Sequence, residues 1–181
     1  SAGCSTGEDA YSMAILHANI VGNDLSAWNI RVFATDADQA ALSIAKQGIY
    51  EQAALHDLSD DERERWFEHV NQQYHINKIL RKIVIIGQHD ITYDSPFANM
   101  DLIMCREALF TCTRERQQEL IRLFAFSLAP KNGYLIMEKS EHITLSVLSF
   151  QPIIDTLPIY QNTADAFVKK TAKKYNSTLI M

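Results

Sequence analysis

Short apolar runs alternate with stretches of helical periodicity along most of the chain. The runs are rich in β-branched or aromatic residues and predict strands at 30–36, 82–90, 100–106 and 132–138. Helical spacing of apolar residues marks two stretches between these runs, 36–48 and 113–130. Apolar strands that alternate with helices predict an α/β fold built on a doubly wound, mostly parallel sheet.

The ends of both helical stretches carry stop signals. Gly48 is suited to the left-handed position just past a helix, and Pro130 cannot continue one. The second stretch is the clearest amphipathic helix of the chain, and its apolar face comprises Leu120, Ile121, Phe124 and Leu128.

The C-terminal part predicts a change of strand direction. Residues 150–163 contain two short extended segments joined through Asp155 and Thr156, which favours an antiparallel hairpin at the edge of the sheet. We therefore expect a domain over 1–163, followed by a lysine-rich tail over 164–181 that is a solvated helix or a frayed end.

A long connection interrupts the alternation at about 49–82. Ser59 and Glu62 form an S-x-x-E capping box, which predicts a short helix carrying Trp66 and Phe67. Extended segments follow on either side of a polar Asn-Gln-Gln turn. An ordinary crossover connection and a small inserted subdomain both remain open, although the length exceeds that of most connections.

Composition narrows the functional classes. A chain of 181 residues with 47% hydrophobic content can bury one sizeable core, and a net charge of −5 argues against a nucleic-acid partner. No apolar run is long enough for membrane insertion. Cys4, Cys105 and Cys112 form no metal-binding pattern and are typical of reduced thiols, so we expect a cytoplasmic protein without a metal site.

The opening "SAGCSTGEDAYS" places two glycines directly before a helix. At the carboxyl edge of a parallel sheet, such a turn lets backbone approach a ligand, and an acid at the next strand end can bind a ribose. Gly3, Gly7 and Asp36 meet this description. A purely structural interpretation is also open: Ser5 and Glu8 can form a capping box, and Asp36 can cap its own helix.

Five segments together resemble the CheR family of S-adenosylmethionine-dependent methyltransferases, which esterify glutamate side chains of bacterial chemoreceptors. They are "SAGCSTGEDAYSMA", "FATDADQAALSIAKQGIY", "LRKIVIIGQHDI", "FANMDLIMCREALF" and "RQQELIRLFAFSLAPKNGYLIMEKSE". The resemblance runs in order from residue 1 to about 160. It implies a Rossmann-like methyltransferase sheet and makes the insertion the family's small β-subdomain, which in some members binds a receptor tail peptide.

The resemblance also assigns cofactor-binding roles. Gly3 lies in the cofactor turn, Glu8 is similar to the acid that meets the methionine ammonium, and Asp36 to the ribose ligand. Asp90 and Ile91 match the pair that flanks the adenine.

The family's CRNxxIYF motif is altered here to "CREALFTC". Arg106 and Glu107 match the Arg-Asn pair at the methionine end of the cofactor, so Glu107 replaces an asparagine. Thr111 replaces the tyrosine and Cys112 the phenylalanine. No catalytic residue is therefore identified, although Arg106, Glu107 and Thr111 stand at the family's active-site motif in its altered form. The family's helical N-terminal domain, with its TxFFR motif, is expected to belong to the same protein and is absent from this sequence.

Three functions follow from these observations. The first is S-adenosylmethionine-dependent methyl transfer to glutamates of a chemoreceptor or another signalling protein, with S-adenosylhomocysteine as product. The second is a catalytically silent module that binds the cofactor, its product or a protein partner. The third, a nicotinamide-dependent oxidoreductase, is disfavoured because the glycine spacing is G-x-x-x-G.

Overall fold

A computed structural model describes residues 1–138 and 149–164, which divide into two compact units. Unit 1 comprises Ser1 and Gly3–Asp90, and unit 2 comprises Ala2 and the residues from Ile91 onward. Within the described ranges, no helix is long and apolar enough to cross a bilayer. The same ranges contain no group of three or more His, Cys, Asp or Glu that could hold a metal ion. The predicted tail lies almost entirely outside the described residues.

Helices and strands alternate as the apolar pattern predicts. The helices are α1 (Glu8–Val21), α2 (Gln39–Gln47), α3 (Asp60–Trp66), α4 (Lys78–Ile83) and α5 (Arg114–Ser127). The strands are β1 (Val32–Asp36), β2 (Ile49–Tyr50), β3 (Phe67–Val70), β4 (Gln73–Ile76), β5 (Val84–Gln88), β6 (Leu102–Cys105), β7 (Tyr134–Met137), β8 (Phe150–Pro152) and β9 (Ile159–Asn162). The four predicted strands and both predicted helices are therefore present, with bounds shorter than the sequence patterns.

Unit 1 is organised around a parallel ladder between β1 and β5, in which Val32 pairs with Val84 and Asp36 with Gln88. Both strands therefore end at the same edge. The crossover helix α2 starts later than predicted because Asp38, rather than Asp36, caps it: the Asp38 carboxylate accepts the N–H groups of residues 40 and 41. Gly48 ends α2 in the left-handed conformation at φ 60°, as predicted.

The insertion contains an antiparallel sheet in the order β2-β4-β3. Asn71 and Gln72 join β3 to β4 with positive φ at both positions, a turn that matches the twist of a hairpin. The predicted capping box is present, since Ser59 and Glu62 each accept the other's backbone N–H. The helix ends at Trp66 because the next residue already pairs in β3, so the prediction that it carries Phe67 is wrong.

Unit 2 contains the second parallel ladder, between β6 and β7, and two antiparallel ladders, in which β9 pairs with β7 and with β8. The predicted C-terminal hairpin is therefore confirmed. The predicted apolar face of α5 is buried in the core of this unit, with Leu120, Ile121, Phe124 and Leu128 at most 5% exposed. The helix ends at Ser127, before Pro130, because Met100 pairs with Leu128 as an isolated bridge and draws the chain into an extended conformation.

Candidate cofactor site

The glycine turn folds over the carboxyl end of β1. The N–H groups of Gly3 and Cys4 both donate to the carbonyl of Thr35, at 2.8 and 2.9 Å. Gly3, Ser5 and Gly7 all have left-handed backbone, with φ of 73°, 47° and 97°. Gly7 directly precedes α1 and offers no side-chain cap, so the alternative of a capping box between Ser5 and Glu8 is wrong.

The Asp36 carboxylate is fixed by backbone at the tip of β1. The Ser5 N–H donates to its Oδ2 at 2.8 Å, and the Asp38 N–H donates to its Oδ1 at 2.9 Å. The side chain is half-buried. A carboxylate has about four lone-pair sites, so two amide contacts leave capacity for two further donors such as the hydroxyls of a ribose. Both of these partners are neutral amides, which orient the carboxylate without forming an ion pair with it.

Glu8 supplies a second carboxylate from the first turn of α1. The Thr6 hydroxyl lies 2.7 and 2.6 Å from its two carboxylate oxygens and orients the group. The side chain is exposed, and an acid at this end of a helix is favoured by the helix dipole. An exposed carboxylate held in this way is suited to a primary ammonium.

Asp90 lies just beyond β5, beside the same edge. The backbone N–H of the preceding residue, His89, donates to the Asp36 carbonyl at 3.0 Å, which ties the two strand ends together. Gly3, Glu8, Asp36 and Asp90 all belong to unit 1. Gly3 and Asp36 lie at the carboxyl edge of the β1–β5 ladder, Glu8 begins the helix that follows the turn, and Asp90 continues from β5.

Cys4 lies within the turn but does not act as a nucleophile. The residue is 3% exposed, and burial raises the pKa of its thiol to about 11. Since the thiolate is the reactive form, Cys4 is inert at neutral pH and packs as a small apolar side chain.

The remaining candidates belong to unit 2. Ile91 packs against the core of this unit. Arg106 directly follows β6, and its Nε donates to Glu138 Oε2 at 3.0 Å. Glu138 directly follows β7, and the register that pairs Cys105 with Met137 brings these neighbours together.

Glu107 and Thr111 are exposed. Glu107 has φ 63° and ψ −24°, a left-handed backbone that glycine and asparagine adopt more readily than glutamate. The Thr111 hydroxyl donates to the Ala108 carbonyl at 3.3 Å, within a short 3-10 helix that spans Ala108–Thr111.

Three contacts of the candidate site residues were not predicted from the sequence. The Ser5 amide on Asp36, the Thr6 hydroxyl on Glu8 and the Glu138 carboxylate on Arg106 each depend on how strands and loops meet. A sequence signal exists only for Thr6, which lies two residues before the acid that it orients.

Most of the chain is similar in sequence to known methyltransferases. Residues 1–156 match the family described as CheR methyltransferase, SAM binding domain. A chemotaxis protein methyltransferase of Listeria innocua is 34% identical over 143 residues, which are 79% of this chain and 53% of the relative. Its counterpart in Salmonella typhimurium is 31% identical over 160 residues, 83% of this chain and 53% of the relative. The chain thus spans about half the length of these two relatives.

A solved structure from the study "Conversion of a Disulfide Bond into a Thioacetal Group during Echinomycin Biosynthesis" has the same fold. It is 13% identical with a TM-score of 0.52, covering 97% of this chain and 79% of that chain. At this identity the likeness concerns the fold alone. The family match over residues 1–156 is more specific: the chain belongs to the CheR methyltransferase family and contains its binding domain for the cofactor S-adenosylmethionine.

Proposed function

We propose that the protein containing this chain transfers a methyl group from S-adenosylmethionine to glutamate side chains of a chemoreceptor-type protein. The observation that carries the proposal is the Asp36 carboxylate, held by the Ser5 and Asp38 amides beside the glycine turn. The name shared by the Listeria and Salmonella relatives, chemotaxis protein methyltransferase, supports the choice of substrate.

The polar groups of unit 1 fit the nucleoside and amino-acid parts of this cofactor. Asp36 has spare acceptor capacity for two ribose hydroxyls, and Glu8 offers a negative charge to the methionine ammonium. From the family resemblance we assign Asp90 to the exocyclic amine of the adenine and its chain neighbour Ile91 to the adenine ring. Gly3 lets the turn approach the ligand because its φ is left-handed.

The acceptor needs little chemical activation. When bound, the cofactor supplies an activated methyl group on a positively charged sulfur, and transfer to a carboxylate oxygen leaves S-adenosylhomocysteine. A glutamate side chain is ionised at neutral pH, since its reference pKa is about 4.3, so no general base is required. The tasks left to the protein are orientation of the acceptor and exclusion of water.

Radiolabelled methyl transfer tests this proposal. A longer protein that includes the region preceding this chain is incubated with methyl-labelled cofactor and a cytoplasmic fragment of a chemoreceptor. Methyl esters are labile to alkali, so label on glutamate should be released as methanol, and Glu→Ala changes in the receptor should remove it. Label that resists alkali, or that persists after all candidate glutamates are changed, would contradict glutamate as the acceptor.

A catalytically silent binding module is the second candidate, and the charges of unit 2 favour it. Arg106, the cation that could orient an acceptor carboxylate, is already paired with Glu138 and is followed by Glu107. Two negative groups and one positive group disfavour an anionic acceptor nearby. A silent module would bind S-adenosylhomocysteine and yet transfer no methyl even in the longer protein.

A further inference from the structure

Tyr50 connects the small inserted sheet to the glycine turn. Its hydroxyl donates to the carbonyl of Thr6 at 2.9 Å, across 44 positions of the sequence. Thr6 lies between Ser5 and Gly7, two residues with left-handed backbone. The Tyr50 hydroxyl therefore contacts the turn at its most constrained point.

The turn packs closely against the same tyrosine. A Cβ atom added at Gly7 would lie 3.1 Å from the Tyr50 hydroxyl and 2.9 Å from the Cβ of Ala45. Since Gly7 also has φ 97°, both its backbone and its surroundings require glycine. A side chain at Gly7 would therefore crowd Ala45 and the Tyr50 hydroxyl.

The inserted sheet holds Tyr50 in place. Tyr50 pairs with Tyr74 in the β2–β4 ladder and is 7% exposed. Its ring packs edge-on against Tyr11, with ring centroids 6.1 Å apart. Burial raises the pKa of the Tyr50 hydroxyl, so the proton that it donates to Thr6 stays in place at physiological pH.

We propose that Tyr50 is a positioning residue for the cofactor turn, and that the inserted sheet thereby serves the cofactor site. The inference rests on the proposed roles of Glu8 and Asp36 as cofactor ligands. The contact holds the Thr6–Gly7 peptide unit and thereby restrains the adjoining Ser5 segment, whose N–H donates to Asp36. A turn ordered before binding costs less conformational entropy when the ligand arrives.

Tyr11 provides a matched control. Its hydroxyl is also buried and also donates to a backbone carbonyl, that of Ala45 at 3.2 Å. Ala45 lies in α2 and not in the turn. Tyr50→Phe and Tyr11→Phe therefore remove equivalent hydroxyls, but only the first leaves a carbonyl of the turn without this donor.

Two measurements on the 181-residue chain test the proposal. In calorimetric titration with S-adenosylhomocysteine, Tyr50→Phe should raise the dissociation constant about tenfold, and Tyr11→Phe less than about twofold. Amide hydrogen exchange is then measured without ligand. Residues 3–8 should exchange faster in Tyr50→Phe but not in Tyr11→Phe. The increase should exceed the part explained by the loss of overall stability, which urea unfolding of each variant measures.

The outcomes separate this inference from the proposed function. Unchanged exchange in the turn, an unchanged dissociation constant in Tyr50→Phe, or equal losses in both variants would overturn the positioning role. Failure of the unsubstituted chain to bind S-adenosylhomocysteine would instead contradict the cofactor roles of Glu8 and Asp36. In that event hydrogen exchange decides the role of Tyr50: faster exchange of the turn in Tyr50→Phe alone supports it, and unchanged exchange overturns it.

Discussion

Charged side chains lie at the ends of both β1 and β6, but one is bound by neutral backbone amides and the other by an oppositely charged side chain. Asp36, at the end of β1, is held by two neutral backbone amides. Arg106, after β6, is held by the carboxylate of Glu138, which neutralises it. Neutral backbone amides orient a carboxylate without offsetting its charge. In an ion pair, by contrast, each group offsets the charge of the other, so less attraction is left for a ligand. We therefore expect Glu8 and Asp36 in unit 1 to suit a cationic, hydroxyl-rich ligand, and Arg106 with Glu138 in unit 2 to bind an anionic ligand poorly.

Methyl transfer offers the largest test of this contrast. We expect the 181-residue chain alone to transfer little or no methyl to a receptor fragment, at a rate at least about 100-fold below that of an active relative. The reason is that poor orientation of the acceptor carboxylate lowers the rate of transfer steeply. Robust transfer by this chain would contradict the account. A longer protein that carries the family's N-terminal motif should transfer methyl if the lack of that motif is the cause. If the longer protein stays inactive, Glu107→Asn with Thr111→Tyr tests the altered motif.

The backbone at Glu107 predicts a stability change. Glu107→Asn should raise the free energy of unfolding by about 1 kcal/mol, because asparagine tolerates the left-handed conformation at φ 63° better than glutamate does. Urea unfolding measures the change. Glu107→Gln is the matched control, since it removes the same charge but keeps the unfavourable backbone, and it should leave stability near the original value. Equal effects from both substitutions would show that charge, and not backbone, is responsible.

Loss of the Glu138 carboxylate should have a smaller effect. Glu138→Gln removes one negative charge from the contact with Arg106, so the KM of a longer protein for a glutamate-containing receptor peptide should fall about threefold. The effect is modest because the Arg106 and Glu138 side chains are 43% and 26% exposed. Glu115→Gln, an equal charge change in the first turn of α5, is the control and should leave KM unchanged. A KM that is unchanged or higher in Glu138→Gln would contradict the neutralising role of Glu138.

Local patterns in the sequence were sufficient for much of the fold. The capping box of Ser59 and Glu62, the left-handed Gly48 and the apolar face of α5 depend on residues close together in the chain, and the structure confirms all three. Helix ends were less predictable where tertiary contacts decide them. The early end of α5 depends on Met100, far from it in sequence.

The site was predictable only in its residue types and their places at strand ends. Asp36 ends the apolar strand β1, and this position predicts its place at the carboxyl edge, whereas Asp90 was assigned from the family resemblance. The Tyr50 hydroxyl on Thr6 and the Glu138 carboxylate on Arg106 link positions more than 30 residues apart in the sequence and depend on strand register. No local signal encodes such contacts.

The most direct test of the central claim is calorimetric titration of the 181-residue chain with S-adenosylhomocysteine, comparing Asp36→Ala with Asp38→Ala. Asp36→Ala should weaken binding by roughly 1.5–3 kcal/mol, because it removes a charge-assisted pair of hydrogen bonds to the ribose. Asp38→Ala removes a nearby carboxylate that only caps α2, so it should lower stability but leave affinity unchanged. Equal affinity of Asp36→Ala and the unsubstituted chain would contradict the ribose role of Asp36 and the contrast built on it.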